Sequence, residues 1–366
     1  MLKKILKCKW KFFVNKDIDI IFFEKTRLAF NFNNYKVLNY HHDIYLIICF
    51  KTILNYIFLN NPKKLKISHF YLYNLVKESN PKLGIGNDAL HNVFIFKKLF
   101  PKKISMVYQF GYLFNDKKKN YYRDYLKNYT ADFYFVYDER SKKILSKLIK
   151  SKFIISGSLK ANLNCKISKR KNFLYDVMFV SNYRPLVKSY QSYKYTKYFH
   201  KNDQFIFKTI SNFCKKNNLK LCVAFSSFRD DKEHLNYFEK EKIFFSKLND
   251  NFLVPFKNSY KTAFNSNLVV GSFSNLNYEL LISGKKTLVI YKKYNKALQF
   301  SKKITKDFVI ISDNEKKIEK KINNLLFLEQ NKWKKNNLLF YNKKSFFDEK
   351  NEIFYRFIKK QIQKVS

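Results

Sequence analysis

"VVGSFSNLNYELLISGKK", residues 269–286, holds two of the six glycines in a chain of 366 residues. Taken with Asn267 and Leu268, it begins as a short apolar strand, "NLVVGS", ending at Gly271 and Ser272. A helix follows, with Ser274 placed to cap its start and Gly284 just past its end. A second apolar run, "KTLVIY", then begins at Lys286. Strand, helix and strand in so short a span predict one unit of a parallel sheet covered on both faces. In open parallel sheets ligands bind beyond the carboxyl ends of the strands, where helix N-termini offer unpaired N–H groups to a phosphate. Gly271 would let the backbone approach such a group, and Ser272 and Ser274 would add hydroxyl donors, with Asn275 beside them. Glu279 falls where a carboxylate can accept from a sugar or ribose hydroxyl. The plainer alternative makes Gly271 a tight turn and Glu279 a solvated helix charge.

The same alternation runs outward from this unit. Short β-rich runs occur at 17–24, 35–40, 103–111, 132–138 and 152–158, and again at 176–182, 221–227, 252–256, 267–272, 286–291 and 307–312. Helical spacing marks 44–59, 139–150, 205–217, 260–264, 274–282, 315–328 and 352–363. The polar, basic stretch 159–174 interrupts the series, and the domain boundary is expected inside it. The expectation is an α/β chain of two Rossmann-like domains, 1–165 and 166–335, with parallel sheets facing a cleft. A helical segment, 336–366, is expected to pack back toward the N-terminal domain. The most apolar run, Ile44–Leu59, is interrupted by Lys51 and Asn55 and is too short to span a bilayer. It reads as a buried helix, with a membrane-surface helix as the alternative.

Composition narrows the classes. Hydrophobic residues make up 46% and aromatic residues 19%, which excludes a disordered chain. Net charge is +45, yet 66 of the 73 basic residues are Lys and seven are Arg. A nucleic-acid reader concentrates Arg for its planar fork, so no specific nucleic-acid partner is expected. Lys, Asn, Ile, Phe and Tyr are inflated throughout, as AT-rich coding produces. A cationic surface still gathers anionic substrates and lipid headgroups. Five cysteines form neither a CxxC pair nor a metal-ligand spacing, and the start "MLKKILKCKWKFF" lacks the apolar core of a signal peptide. These features predict a reducing cytoplasm. "GIGND" lacks the third glycine of a dinucleotide fingerprint, and "DIDI" at 17–20 lies in a strand rather than in a metal-binding turn.

The pattern S–x–S–x–L–x–Y–E–x–L–x–x–G–K–K, filled by Ser272, Ser274, Leu276, Tyr278, Glu279, Leu281, Gly284, Lys285 and Lys286, resembles bacterial surface-carbohydrate (lipopolysaccharide) biosynthesis proteins of the GT-B glycosyltransferase type. Asn277 stands where that family usually has Gly. "IGNDALHNVFIFKKLFPKKISMVYQFGYLF", 85–114, is similar to the family's N-terminal pattern, and "SSFRDDKEHLNYFEKE", 226–241, to a loop and helix of its donor domain. The similarity spans 17–312. It implies a metal-independent glycosyltransferase that needs no cofactor, with a nucleotide-activated sugar as co-substrate. The acceptor would be a saccharide or lipid-linked chain growing into surface polysaccharide or lipopolysaccharide. The place would be the cytoplasm, peripheral on the inner membrane face, with the anionic membrane surface as a further partner. Donor contacts would come from Gly271, Ser272, Ser274, Asn275 and Glu279, joined by Ser181, Asn182 and Arg184, whose guanidinium suits a diphosphate. On the acceptor side, Asp88 or His91 would be the general base, with Asn87, Gln109 and Gly111 bordering the cleft. Asp88 as a helix N-cap and Arg184 as an exposed loop residue are the plain alternatives. Rival activities are a teichoic-acid-type glycerophosphotransferase, a nucleotide-sugar epimerase and a non-catalytic basic binding protein.

Overall fold

Short apolar strands separated by helices leave parallel pairing as the economical solution, and every described strand pair is parallel. The computed structural model describes residues 8–24, 30–58, 66–111, 126–165, 172–183, 190–226, 232–255, 258–272, 274–292, 308–333, 335 and 347–365. These fall into two units, one within 1–111, 120–163 and 350–366, the other within 164–349. Each carries its own parallel sheet flanked by helices, a Rossmann-like arrangement.

In the first unit, β1 (Lys9–Lys11) pairs with β4 (Asp43–Tyr45) as a small separate sheet. The main sheet contains β2 (Ile20–Phe23), β3 (Val37–Asn39), β5 (Leu83–Asn87), β6 (Ile104–Tyr108), β7 (Thr130–Val136) and β8 (Lys150–Ile155), in the order β3-β2-β5-β6-β7-β8. Its helices are α1 (Leu46–Phe58), α2 (Ile67–Ser79), α3 (Asn92–Leu99), α4 (Glu139–Leu145), α5 (Leu159–Asn164) and, from the far end of the chain, α11 (Glu352–Val365). Strand β5 is absent from the sequence expectation, which weighed "GIGND" only as an incomplete dinucleotide fingerprint. Its glycines answer to packing. A Cβ at Gly84 would come within 2.7 Å of the Phe96 ring of α3, and one at Gly86 within 3.1 Å of the Val93 Cβ. On the opposite face, Ile20, Phe22, Leu83, Ile85, Met106 and Phe135 pack against Phe354, Ile358 and Ile362 of α11, spaced one helical turn apart. Asn351, in the left-handed region at φ 58°, fixes that return. Its side chain accepts from Asn162 Nδ2 and donates to the Leu159 carbonyl, both at 2.8 Å.

The second unit has β9 (Tyr175–Val180), β10 (Leu221–Ala224), β11 (Ser266–Gly271), β12 (Thr287–Tyr291) and β13 (Val309–Ile311), in the order β10-β9-β11-β12-β13. The helices are α6 (Tyr190–Lys216), α7 (Lys232–Ser246), α8 (Ser259–Phe264), α9 (Asn275–Ile282) and α10 (Glu315–Phe327). Of the run 252–256, expected as a strand, the described residues 252–255 make a single bridge from Leu253 to Cys222, and Pro255 has no N–H for a longer ladder. Strand order reverses between β9 and β11 here, and between β2 and β5 in the first unit. Connections depart in opposite directions at such switch points and open a crevice at the carboxyl ends of the two strands.

Candidate functional site

At the switch point of the second unit the carboxyl ends of β9 and β11 carry Ser181, Asn182 and Ser272. Asn182 donates its side-chain amide to the Ser272 hydroxyl at 2.9 Å and its backbone N–H to Asp203 of α6 at 2.6 Å. Ser272 in turn donates to the other Asp203 oxygen at 3.3 Å. Burial pushes the Asp203 carboxyl up to about 7, against these hydrogen bonds, which favour its charged form. Ser181 accepts from Tyr183 N–H at 3.0 Å, shaping the turn that leaves β9. Beneath the neighbouring strand end, buried Glu241 accepts both the backbone N–H and the hydroxyl of Ser226. Two buried carboxylates thus anchor the loops at this end of the sheet. Arg184 and Arg229 lie outside the described residues.

Helix α9 starts beside this network. Ser274 caps it by accepting from Leu276 N–H at 3.3 Å, Asn275 opens it, and its first turn has no acidic residue. That combination suits an anion. Gly271 is not in the left-handed region, so a tight turn does not explain it. The space a Cβ would take is filled by Asn277, whose Nδ2 would lie 2.5 Å away. Asn277 therefore stands in a packed position where Gly271 yields room. Glu279 is not a solvated helix charge either, being only 3% exposed. Its carboxylate accepts from the Tyr260 hydroxyl of α8 at 2.5 Å, and its charge, after burial, helps hold the Cys165 thiol well above its usual range. A ligand hydroxyl would have to share that carboxylate with Tyr260.

The end of the motif serves the opposite edge of the sheet. Gly284 (φ 85°) and Lys285 donate backbone N–H bonds to Leu281 and Leu280, closing α9 in a Schellman turn. Lys285 donates to the Ser266 carbonyl at the amino end of β11, and burial brings its ammonium down to about 7. Lys286 caps the last turn of α10 through the carbonyls of Leu325, Leu326 and Leu328. A cavity of about 680 Å³ beyond β12 is lined by Lys197, Lys201, Lys208 and Lys292 around Tyr198 and Phe205.

At the switch point of the first unit, Glu24 ends β2 and accepts from Asn87 Nδ2 (2.6 Å) and from the Tyr108 hydroxyl. Asp88 is 1% exposed, and its two oxygens accept from Phe110 N–H (2.9 Å) and the Tyr134 hydroxyl (2.6 Å). It is not the cap of α3, since His91 occupies the N-cap position. His91 is exposed, with Nδ1 3.0 Å from the Tyr129 hydroxyl. Gln109 donates to the Gly111 carbonyl at 2.8 Å and accepts from Tyr137 N–H at 3.0 Å, so both residues shape the loop after β6. Among the described residues, no group of three or more His, Cys, Asp or Glu is placed to hold a metal ion.

Sequence reasoning missed Glu24, Asp203 and Glu241. Glu24 was visible as the residue closing an apolar run, whereas Asp203 and Glu241 lie inside helices and carry no strand-end signal.

Comparison with known proteins fits this geometry. Residues 108–362, well over half of the chain, match a family described as "putative O-antigen biosynthesis protein". No curated protein sequence matches significantly. Among solved structures, UDP-GlcNAc 2-epimerase from Neisseria meningitidis, bound to UDP-GlcNAc, superposes with a TM-score of 0.53 at 12% identity, covering 94% of this chain and 100% of its own. The wall teichoic acid polymerase TagF (H444N with CDPG) gives 0.53 at 12% identity, over 96% and 90%. The S. aureus MnaA–UDP co-structure gives 0.52 at 12% identity, over 94% and 97%. At these identities the likeness speaks for the fold alone. With its two parallel-sheet units and this family match, the chain belongs to the O-antigen biosynthesis family and has a GT-B-like fold.

Proposed function

We propose that the protein is a glycosyltransferase that moves a sugar from a nucleotide-activated donor onto a growing surface polysaccharide or lipopolysaccharide. The observation that carries this reading is the Asn182–Ser272–Asp203 network at the second unit's switch point, beside the capped, acid-free start of α9. The nucleotide-sugar and nucleotide ligands named for the similar structures support a donor of that kind. In this reading Ser272, Ser274 and the α9 N-terminus hold the leaving diphosphate as its charge develops. Asn182 is kept in place by Asp203, and Arg184 would add a guanidinium.

The acceptor hydroxyl needs a base. His91 suits that role better than Asp88, because Asp88 is buried with both oxygens engaged, whereas His91 is exposed. In the tautomer that donates Nδ1–H to Tyr129, Nε2 presents the lone pair. The reaction is then a direct displacement without a metal or other cofactor.

Incubation with UDP-, GDP- and CDP-activated sugars and with CDP-glycerol, with and without a lipid-linked saccharide, tests the reading. Acceptor-dependent release of nucleotide with a lengthened acceptor is expected. An epimerised nucleotide sugar formed without acceptor would replace transfer by epimerisation. Transfer of glycerol phosphate alone would place the chain with the teichoic-acid enzymes.

A further inference from the structure

Helix α1 is built the wrong way round for a surface helix. Its inward positions hold Ile48 and Thr52, and the Thr52 hydroxyl accepts from Asn74 of α2 at 3.2 Å. Its outward positions, Phe50, Ile53, Leu54 and Ile57, follow the i, i+3, i+4, i+7 spacing of one face and are 37–64% exposed. Tyr56 and Phe58 extend that face. Strand β1 lies against β4, which runs directly into α1, and Ile47 N–H bonds the Phe12 carbonyl at 3.4 Å. Trp10, Phe12 and Phe13, all exposed, therefore adjoin the start of the helix. Soluble proteins seldom leave so much contiguous apolar surface uncovered.

The rim identifies the occupant. Lys9 is exposed next to Trp10 in β1, Lys16 three residues beyond Phe13, and Lys66 at the N-cap of α2, which packs on α1, and Lys11 and Lys51 add cations paired with Asp43 and Glu78. A second copy would bring another +45 chain against the same Lys-rimmed patch. An anionic bilayer offers phosphate to the rim, acyl chain to the centre, and the boundary region that Trp and Tyr favour. Among the described residues no helix is long and apolar enough to cross a membrane, so the contact is in-plane. We propose that the outward face of α1, with Trp10, Phe12 and Phe13, docks the protein on an anionic lipid bilayer. This inference stands apart from the nucleotide-sugar reading, and its test needs no donor.

The full chain is floated with phosphatidylcholine vesicles, with and without phosphatidylglycerol, at low and high salt. Wild type should bind the anionic vesicles, lose part of that binding at high salt, and shift its tryptophan emission to the blue. Trp333, the other tryptophan, is fully buried, so the shift reports Trp10. Ile53→Asp/Ile57→Asp should bind at least about tenfold more weakly. Circular dichroism and melting should match wild type, because both positions face outward. Phe327→Asp, an exposed apolar position in the second unit, should bind as wild type. Undiminished binding by the double variant would overturn the proposal, as would a wild-type dimer that the double variant dissociates. Absence of vesicle binding by wild type would overturn it as well.

Discussion

Replacing Gly271 with alanine asks whether the space above this residue belongs to Asn277 or to a ligand. The new Cβ would lie 2.5 Å from Asn277 Nδ2, 3.0 Å from its Oδ1 and 3.0 Å from the Val180 Cβ. Carbon contacts are comfortable only near 3.5–4.0 Å. Asn277 is fully buried and donates to the Ser272 carbonyl at 3.3 Å, so moving it breaks that bond inside the core. Overpacking costs about 1–3 kcal/mol and the lost hydrogen bond about 1 more, giving a loss of about 2–4 kcal/mol. Asn277→Ala removes two of the three atoms that the Cβ would meet, leaving the Val180 Cβ at 3.0 Å. In that background Gly271→Ala should cost about 1–2 kcal/mol less than in wild type, a coupling typical of touching residues. Urea unfolding followed by the emission of buried Trp333 reads the second unit. Equal costs of Gly271→Ala in the two backgrounds would refute the packing argument.

Asp203→Asn should change the pH dependence of the second unit. The folded carboxyl titrates at about 7 and an unfolded one near ~3.9, so its stabilisation is full below about pH 4 and lost as pH rises toward 7. The variant lacks that slope, at most about 1.4 kcal/mol per pH unit, and its urea midpoint should gain on wild type across the window; parallel curves would contradict the assignment. Asp88→Asn should lower the unfolding free energy by about 1.5–3 kcal/mol by weakening charged hydrogen bonds to Phe110 and Tyr134. His91→Ala should leave the melt unchanged while slowing turnover, and the reverse pattern would remove His91 as the base. Asn351→Ala takes one partner from the Asn162 amide, which keeps the Ser156 carbonyl, and one from the Leu159 carbonyl, and should loosen α11, seen as faster hydrogen exchange in 352–365. Unchanged exchange there would show that Phe354, Ile358 and Ile362 suffice.

Periodicity revealed most of the sheet-and-helix order, because strands buried on both faces leave continuous apolar runs. It failed where packing overrode local signals. Gly84 and Gly86 look like loop residues until Phe96 and Val93 of α3 are placed over them. The run 44–59 was expected as a buried helix, and the structure corrects this, because exposure cannot be read from a helix apolar on both sides. That Ser181, Asn182 and Ser272 sit at the carboxyl ends of strands was legible from the apolar runs before them. Asp203 was not, since nothing in "HKNDQFIF" marks which of its polar side chains turn inward, and both Asn202 and Asp203 do. Glu279 was read for its charge, while its bond to Tyr260 depends on a helix that only the fold brings near.

Calorimetric titration of the nucleotide-activated sugars, against wild type, Ser272→Ala and Asn182→Ala, bears most directly on the donor pocket. Wild type should bind one nucleotide class, and each variant should bind it about tenfold or more weakly with a melt close to wild type. Affinity unchanged in both well-folded variants would contradict a donor site at the switch point of the second unit.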